Sequence, residues 1–163
     1  MERKLIMLIG PPSIGKTYLA QTICDNYSDA DCLYLDERTC EDSDLFYNIL
    51  NVAVSQNLPA IIVEGSFTTV AERMEFFKRV RNLHRVKVIG VWIEASLPSV
   101  LSFNQTKAIP TDETEITRIF NFKVSPMETE PFDEMVYVMR ETDVAIRTSD
   151  PVIKNVIDVL KTI

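Results

Sequence analysis

The sequence predicts an α/β fold: a five-stranded, mainly parallel sheet with helices on both faces and a helical lid. Three observations carry this expectation. Short apolar runs of strand length alternate along the chain with stretches whose apolar residues recur at helical spacing. The runs are continuous rather than alternately polar, as in parallel strands covered on both faces. With 163 residues, 46% of them hydrophobic and 25% charged, the chain has the composition of one compact domain, 1–163. A chain of that length buries on the order of 70% of its unfolded surface, enough to fold without disulfides or a metal.

Lys4 to Ile9 reads as the first strand, stopped by Gly10-Pro11-Pro12. Lys16 to about Tyr27 follows as a helix with Leu19, Ala20, Ile23 and Cys24 at helical spacing. Asp31 to Asp36 (DCLYLD) is the second strand, and Asp44 to Gln56 carries Leu45, Ile49, Leu50, Ala53 and Val54 on one helical face. Ala60 to Glu64 (AIIVE) is the third strand, running into Gly65. Thr69-Val70-Ala71-Glu72 has capping-box spacing, and Val70, Met74, Phe77 and Val80 are expected as the buried stripe behind it.

Val86 to Glu94 (VKVIGVWIE) is the fourth strand, with Trp92 in the core. His84, the only histidine, precedes it at an expected helix C-terminus, where the dipole is role enough. Ser96 caps a helix beginning around Pro98. From Ile109 to Pro131 apolar density falls while Ile116, Ile119 and Phe120 keep a helical stripe, so about 105–131 reads as the lid. Met135 to Met139 (MVYVM) is the fifth strand, and 143–148 is a further edge strand or a loop. Asp150 and Pro151 cap and open a last helix whose buried stripe is Ile153, Val156, Ile157 and Leu160. This alternation implies right-handed crossovers between parallel strands.

Asp and Glu number 24 against 17 Lys and Arg, a formal charge of −7, the wrong sign for coating DNA or an anionic membrane. Only five apolar residues separate Lys4 from Gly10, too few for a signal-peptide core, and no apolar run approaches the roughly 20 residues of a membrane span. A cytoplasmic location is expected. Cys24, Cys32 and Cys40 are odd in number without CxxC spacing, so they read as reduced packing residues rather than a disulfide framework or zinc site.

Gly10-Pro11-Pro12-Ser13-Ile14-Gly15-Lys16-Thr17 matches G-x-x-x-x-G-K-[ST], the Walker A motif, between an apolar strand and a helix that continues with Tyr18. Backbone N–H groups of such a loop wrap a phosphate at a helix N-terminus, where unpaired donors and the dipole favour an anion. Lys16 would reach the β and γ phosphates of ATP, and the Thr17 hydroxyl would hold Mg²⁺. Glu64, at the carboxyl end of a buried strand, lies on the ligand-binding edge of a parallel sheet and could hold water of the Mg²⁺ shell.

Asp36-Glu37-Arg38 ends the second strand, 20 positions after Lys16. Alone, LYLDE also fits a motor ATPase with Glu37 activating water, or an ordinary charged loop. The early position favours Asp36 as acceptor of a substrate hydroxyl proton and Arg38 as binder of an anionic group. Lys107, Arg118 and Lys123 are lid cations able to close on a transferring phosphoryl group. Phe46, Tyr47, Asn48, Phe120 and Asn121 could stack on a base or equally pack the core.

With GPPSIGKT, LYLDER, IIVEGSFTT, VKVIGVWIEASLPSVLSFNQTK and PMETEPFDEMVYV in this order, residues 4–138 resemble the small P-loop kinases related to the phage polynucleotide 5′-hydroxyl kinase domain and many predicted ATP-binding kinases. The resemblance implies a P-loop NTPase sheet of order 2-3-1-4-5, Lys16 and Thr17 on the ATP phosphates and Mg²⁺, Asp36 as catalytic aspartate and Arg38 as acceptor-binding arginine. Glu64 and Ser66 occupy the segment where the family has an aspartate followed by a small polar residue. Where the family has an arginine-rich stretch around an asparagine, this chain has Ser102-Phe103-Asn104-Gln105-Thr106-Lys107, leaving Lys107 as its cation and Arg118 or a partner as substitutes.

The expected function is transfer of the ATP γ-phosphate to a hydroxyl of a small or nucleotide-like acceptor. The net charge favours a small acceptor over a polynucleotide, while a short 5′-hydroxyl end reaching Arg38 fits a local pocket. The alternative is a nucleotide-binding switch or module with little transfer. The Asn-Lys-x-Asp guanine motif is absent from the sequence, which points away from a GTPase.

Overall fold

The computed structural model describes residues 2–140 and 150–160. It contains a five-stranded sheet in the order β2-β3-β1-β4-β5, with every neighbouring pair parallel. The strands are β1 (Lys4–Ile9), β2 (Cys32–Asp36), β3 (Ala60–Glu64), β4 (Lys87–Glu94) and β5 (Glu134–Met139). The helices are α1 (Lys16–Cys24), α2 (Ser43–Ser55), α3 (Val70–Arg79), α4 (Leu97–Gln105), α5 (Glu113–Phe122) and α6 (Pro151–Leu160). The expected strand order and helix succession are both present.

Side-chain alternation along the central strand divides the core in two. Ile6 and Leu8 meet Leu19, Ala20 and Ile23 of α1, Val100 of α4, Ile116 of α5 and Ile153 and Val156 of α6 on one face. Leu5, Met7 and Ile9 meet Phe46, Leu50 and Val54 of α2 and Phe76 of α3 on the other. Because β1 is covered on both sides, Leu5 through Ile9 are fully buried, which is why the run is continuous. Phe46 is fully buried and Tyr47 nearly so, and Phe120 packs against the first face; these aromatics therefore serve the core.

Three expectations are refined. Helix α1 ends at Cys24 rather than near Tyr27, because Asn26 and Tyr27 donate their N–H groups three residues back, to Ile23 and Cys24, and tighten the chain into a turn. Thr69 caps α3 as expected, but the buried stripe is Arg73, Phe76 and Val80, while Met74 is 47% exposed. Arg73 displaces the apolar pattern because it has a buried partner, Glu130. His84 lies in a separate 3-10 turn, Leu83–Arg85, beyond the end of α3. Asp150 caps α6 by accepting from Val152 and Ile153 N–H groups. The segment 143–148 and the side chains of Ile157 and Leu160 lie outside the described residues. Among the described residues no helix is long and apolar enough to cross a membrane.

Candidate active site

Parallel register brings the chemistry to one edge. All strands end on the same side of the sheet, and Asp36, the last residue of β2, stands opposite Glu64, the last of β3, which in turn stands opposite Leu8 of β1. The loop that leaves β1 therefore emerges beside Glu64, with Asp36 one strand further out.

That loop has the backbone geometry of an anion cradle. Gly15 takes a left-handed φ of 106°, which glycine adopts without the steric cost of a Cβ, and caps α1. Ser13 also has positive φ, 70°. A side chain at Gly10 would press on Ile14 Cγ2 at 3.0 Å and Ile93 O at 3.2 Å, so the loop passes close over β4. Pro11 and Ile14 are buried beneath it, Pro12 is partly exposed and Tyr18 is 45% exposed at its outer edge.

Lys16 is folded into this cradle, 4% exposed, with Nζ donating to Gly10 O at 2.5 Å and Gly65 O at 3.4 Å. Burial pulls its pKa down from 10.5 to about 8, against the opposing pull of Glu64. Carbonyl groups occupy the ammonium where a phosphate would bind it more strongly.

Glu64 is the hub of the site. Its carboxylate, 1% exposed, accepts from Thr17 Oγ1 at 3.1 and 3.2 Å, from Arg38 Nη2 at 2.7 Å and from the Tyr34 hydroxyl. Burial, and then the hydrogen bond to Glu64, raises the Tyr34 pKa, keeping this phenol a donor. A buried carboxylate demands such compensation. The Thr17 hydroxyl and the Glu64 carboxylate are adjacent hard oxygen donors, the type Mg²⁺ takes, so these two residues fit that ion.

Arg38 bridges the two acids. Its Nε and Nη2 donate to Asp36 Oδ1 and Oδ2 at 3.2 and 3.1 Å, while Nη2 also reaches Glu64. Asp36 also accepts from the Arg38 N–H, capping the short 3-10 turn Glu37–Thr39 that aims the guanidinium back.

From the lid side, Lys107 Nζ donates to Ser13 Oγ and Thr111 Oγ1, both at 3.1 Å. Buried Asn104 sets this contact. Its Oδ1 accepts from Ser13 Oγ at 2.9 Å and from Thr111 N at 2.8 Å, and its Nδ2 donates to Thr111 O at 2.8 Å. Burial, and then Arg38, lowers the Lys107 pKa.

The resulting cleft, about 610 Å³, is lined by Lys16, Thr17, Arg38, Glu64, Lys107 and Arg140 among others. Arg118 is not brought to it. That side chain is 58% exposed on α5, paired with Glu115 at 2.5 Å, in a separate hollow. Lys123 is likewise engaged elsewhere, with Glu94 at 2.6 Å and over the rings of Trp92 and Phe120.

Tyr34 and Arg140 were not anticipated from sequence. Arg140 donates to Ile14 O at 3.0 Å and lies 3.9 Å from the Phe103 ring centroid, so it braces the phosphate loop from the end of β5. The only available signal was position: both lie in or just after strands whose carboxyl ends face the ligand edge.

A second hollow, about 360 Å³, begins at Glu37 and Ser66, next along the chain from Asp36 and Gly65. Tyr47, Glu72, Glu75 and Arg79 also line it, and burial followed by Glu72 raises the Glu37 pKa.

Solved structures share this architecture. A fungal RNA kinase matches with a TM-score of 0.68 at 12% identity, over 98% of this chain and 84% of that one. A gluconokinase from Sinorhizobium meliloti 1021 matches with 0.59 at 10% identity, over 98% and 92%. Kti12 from Chaetomium thermophilum, solved in complex with ADP-AlF3, matches with 0.58 at 14% identity, over 96% of each chain. No protein-family model and no curated protein sequence matches the chain. At these identities the likeness extends to the fold, and the chain has the fold of the small P-loop kinases.

Proposed function

We propose that the protein is an ATP-dependent phosphotransferase that moves the γ-phosphoryl group to a hydroxyl of a small or nucleotide-like acceptor. One observation carries this reading: the Walker A loop, the Thr17–Glu64 oxygen pair and Arg38, which Asp36 holds, converge on one cleft. The loop N–H groups and Lys16 would hold the ATP phosphates. When bound, Mg²⁺ supplies positive charge to the phosphate oxygens, held through Thr17 and Glu64.

In this reading Asp36 serves the acceptor side, tied to the cleft through Arg38. It would take the hydroxyl proton as that oxygen bonds to the γ-phosphorus and the bond to the β–γ bridging oxygen breaks. Arg38 orients the Asp36 carboxylate and, with Lys107, places positive charge where the transferring group gains negative charge. The second hollow supports a compact acceptor. With Glu37, Glu72 and Glu75 around it, it repels a polyanion and suits hydroxyl donors, in keeping with the −7 charge of the chain.

A second reading, a nucleotide-binding module with little transfer, draws on the outward pairing of Arg118 with Glu115, which leaves Lys107 as the lid cation at the cleft. ADP release measured with and without nucleosides, 5′-hydroxyl oligonucleotides and sugars separates the two. Transfer predicts acceptor-stimulated release that Lys16→Met and Asp36→Asn each lower strongly. ATP binding without stimulation by any acceptor favours the module, and no loss of turnover in Lys16→Met overturns both.

A further inference from the structure

At the opposite end of α1 from the phosphate loop, Cys24 and Cys32 face each other with their sulfurs 2.8 Å apart. That is closer than two non-bonded sulfurs ordinarily pack, and under an ångström longer than the roughly 2.05 Å of a disulfide bond. Both residues are free thiols and partly buried, retaining access to a small oxidant.

The backbone on either side is fixed. Cys24 ends α1 and Cys32 begins β2, and the turn between them is closed by Tyr27 N to Cys24 O at 2.9 Å, Asp31 N to Ser28 O at 2.9 Å and Ser28 Oγ to Asp31 Oδ2 at 2.8 Å. Ala60 N donates to Asp31 O at 3.1 Å and ties the turn to β3. Local chain entropy therefore does little to separate the thiols.

We infer that Cys24 and Cys32 form a two-electron redox pair, a modification site where hydrogen peroxide converts the two thiols to an intramolecular disulfide. The contact assigns the roles. A hydrogen bond from Cys32 lowers the Cys24 pKa, while the same contact and burial raise that of Cys32, so Cys24 is the nucleophile. The Cys24 thiolate attacks one peroxide oxygen, the O–O bond breaks and hydroxide leaves, giving a sulfenic acid. The Cys32 sulfur then attacks the Cys24 sulfur; the S–O bond breaks, and the hydroxyl leaves with the Cys32 proton as water. The hydroxide takes up the proton that Cys24 gave up, forming a second water. Two electrons pass from the sulfurs to the peroxide oxygens.

Because Lys16 and Thr17 sit at the other end of the helix and the sulfurs need so little movement, the disulfide stiffens the fold without disturbing the nucleotide site.

The sequence makes the test direct. No Lys or Arg lies between Thr17 and Arg38, so trypsin leaves both cysteines on the peptide Thr17–Arg38 and Cys40 on the next one. The full chain is reduced, treated with hydrogen peroxide, blocked with N-ethylmaleimide, digested and weighed. The expected peptide is two hydrogens lighter and carries no maleimide; dithiothreitol reverses this. Cys40→Ser keeps the result, Cys24→Ser and Cys32→Ser each lose it, and oxidation raises Tm by about 5 °C with ADP affinity unchanged. A Thr17–Arg38 peptide that still takes two maleimides, or a bond to Cys40 or to a second chain, overturns the inference. So does oxidation that stops at sulfinic acid.

Discussion

Breaking the ion pair under α3 is expected to cost more than any surface change in the molecule. Arg73 is fully buried; its Nε and Nη2 reach Glu130 Oε1 and Oε2 at 2.6 and 3.2 Å, and its Nη1 donates to Phe67 O at 3.0 Å. Glu130 also accepts from Met127 N at 2.7 Å. In Glu130→Gln the amide nitrogen must occupy one carboxylate position, where it meets either Arg73 Nε–H or the Nη2 and Met127 donors. A buried guanidinium is then left without its counter-charge, which costs about 3–5 kcal/mol. For a chain of this length that lowers Tm by about 10 °C. Arg73→Met combined with Glu130→Leu removes both charges, and should recover most of the loss, giving a coupling energy of at least about 2 kcal/mol. Urea unfolding of the parent, Arg73→Met, Glu130→Leu and the double variant measures the cycle, with Glu130→Gln measured beside it. A single-variant cost below about 1 kcal/mol, or a double variant as unstable as the sum of the singles, refutes the argument.

Three further outcomes are expected. Burial holds Lys16 near pKa 8, below its ordinary 10.5, so between those values the unfolded chain binds the proton more tightly and stability rises with pH. Urea midpoints across that window should show the rise, and Lys16→Met should flatten it; ADP binding near pH 8 should take up a proton, read by calorimetry in buffers of differing ionisation enthalpy. Asp36→Asn should lower acceptor-dependent turnover by about 10²–10⁴ with ATP affinity retained, as removal of a general base does; equal loss of affinity would instead mark it as part of the nucleotide site. Gly90→Ala should destabilise by about 1–3 kcal/mol in urea unfolding, because its Cβ would collide with Met135 Sδ and meet Phe132 Cε1 at 2.9 Å.

Legibility in the sequence followed locality. The Walker A loop, the Thr69 and Ser96 caps and the buried strand ending in Glu64 rest on residues a few positions apart, and the structure contains each of them. Gly90 gave no local signal because what excludes a side chain there is the neighbouring strand β5. Arg73 misled the helix pattern for the same reason: a cation in the core is intelligible only with Glu130, far away in sequence. Tyr34, in the middle of β2, and Arg140, just after β5, are ordinary residues until the fold sets them beside Glu64 and the phosphate loop. Arg118 is the converse case, a cation at a plausible lid position that its own helix neighbour Glu115 holds outward.

The place of β1 in the sheet has a consequence for the order of assembly. It is synthesised before both of its partners, β3 and β4, with Lys4 paired to Ala60 and to Lys87. Until Ala60–Glu64 exists the strand that launches the phosphate loop has neither neighbour, and it gains the second only with Lys87–Glu94, beyond the middle of the chain. Assembly is dominated by long-range pairing, which slows folding relative to local helical contacts. The cradle for nucleotide is thus completed late although its residues precede β3 and β4, and a nascent chain acquires it only once β4 has docked.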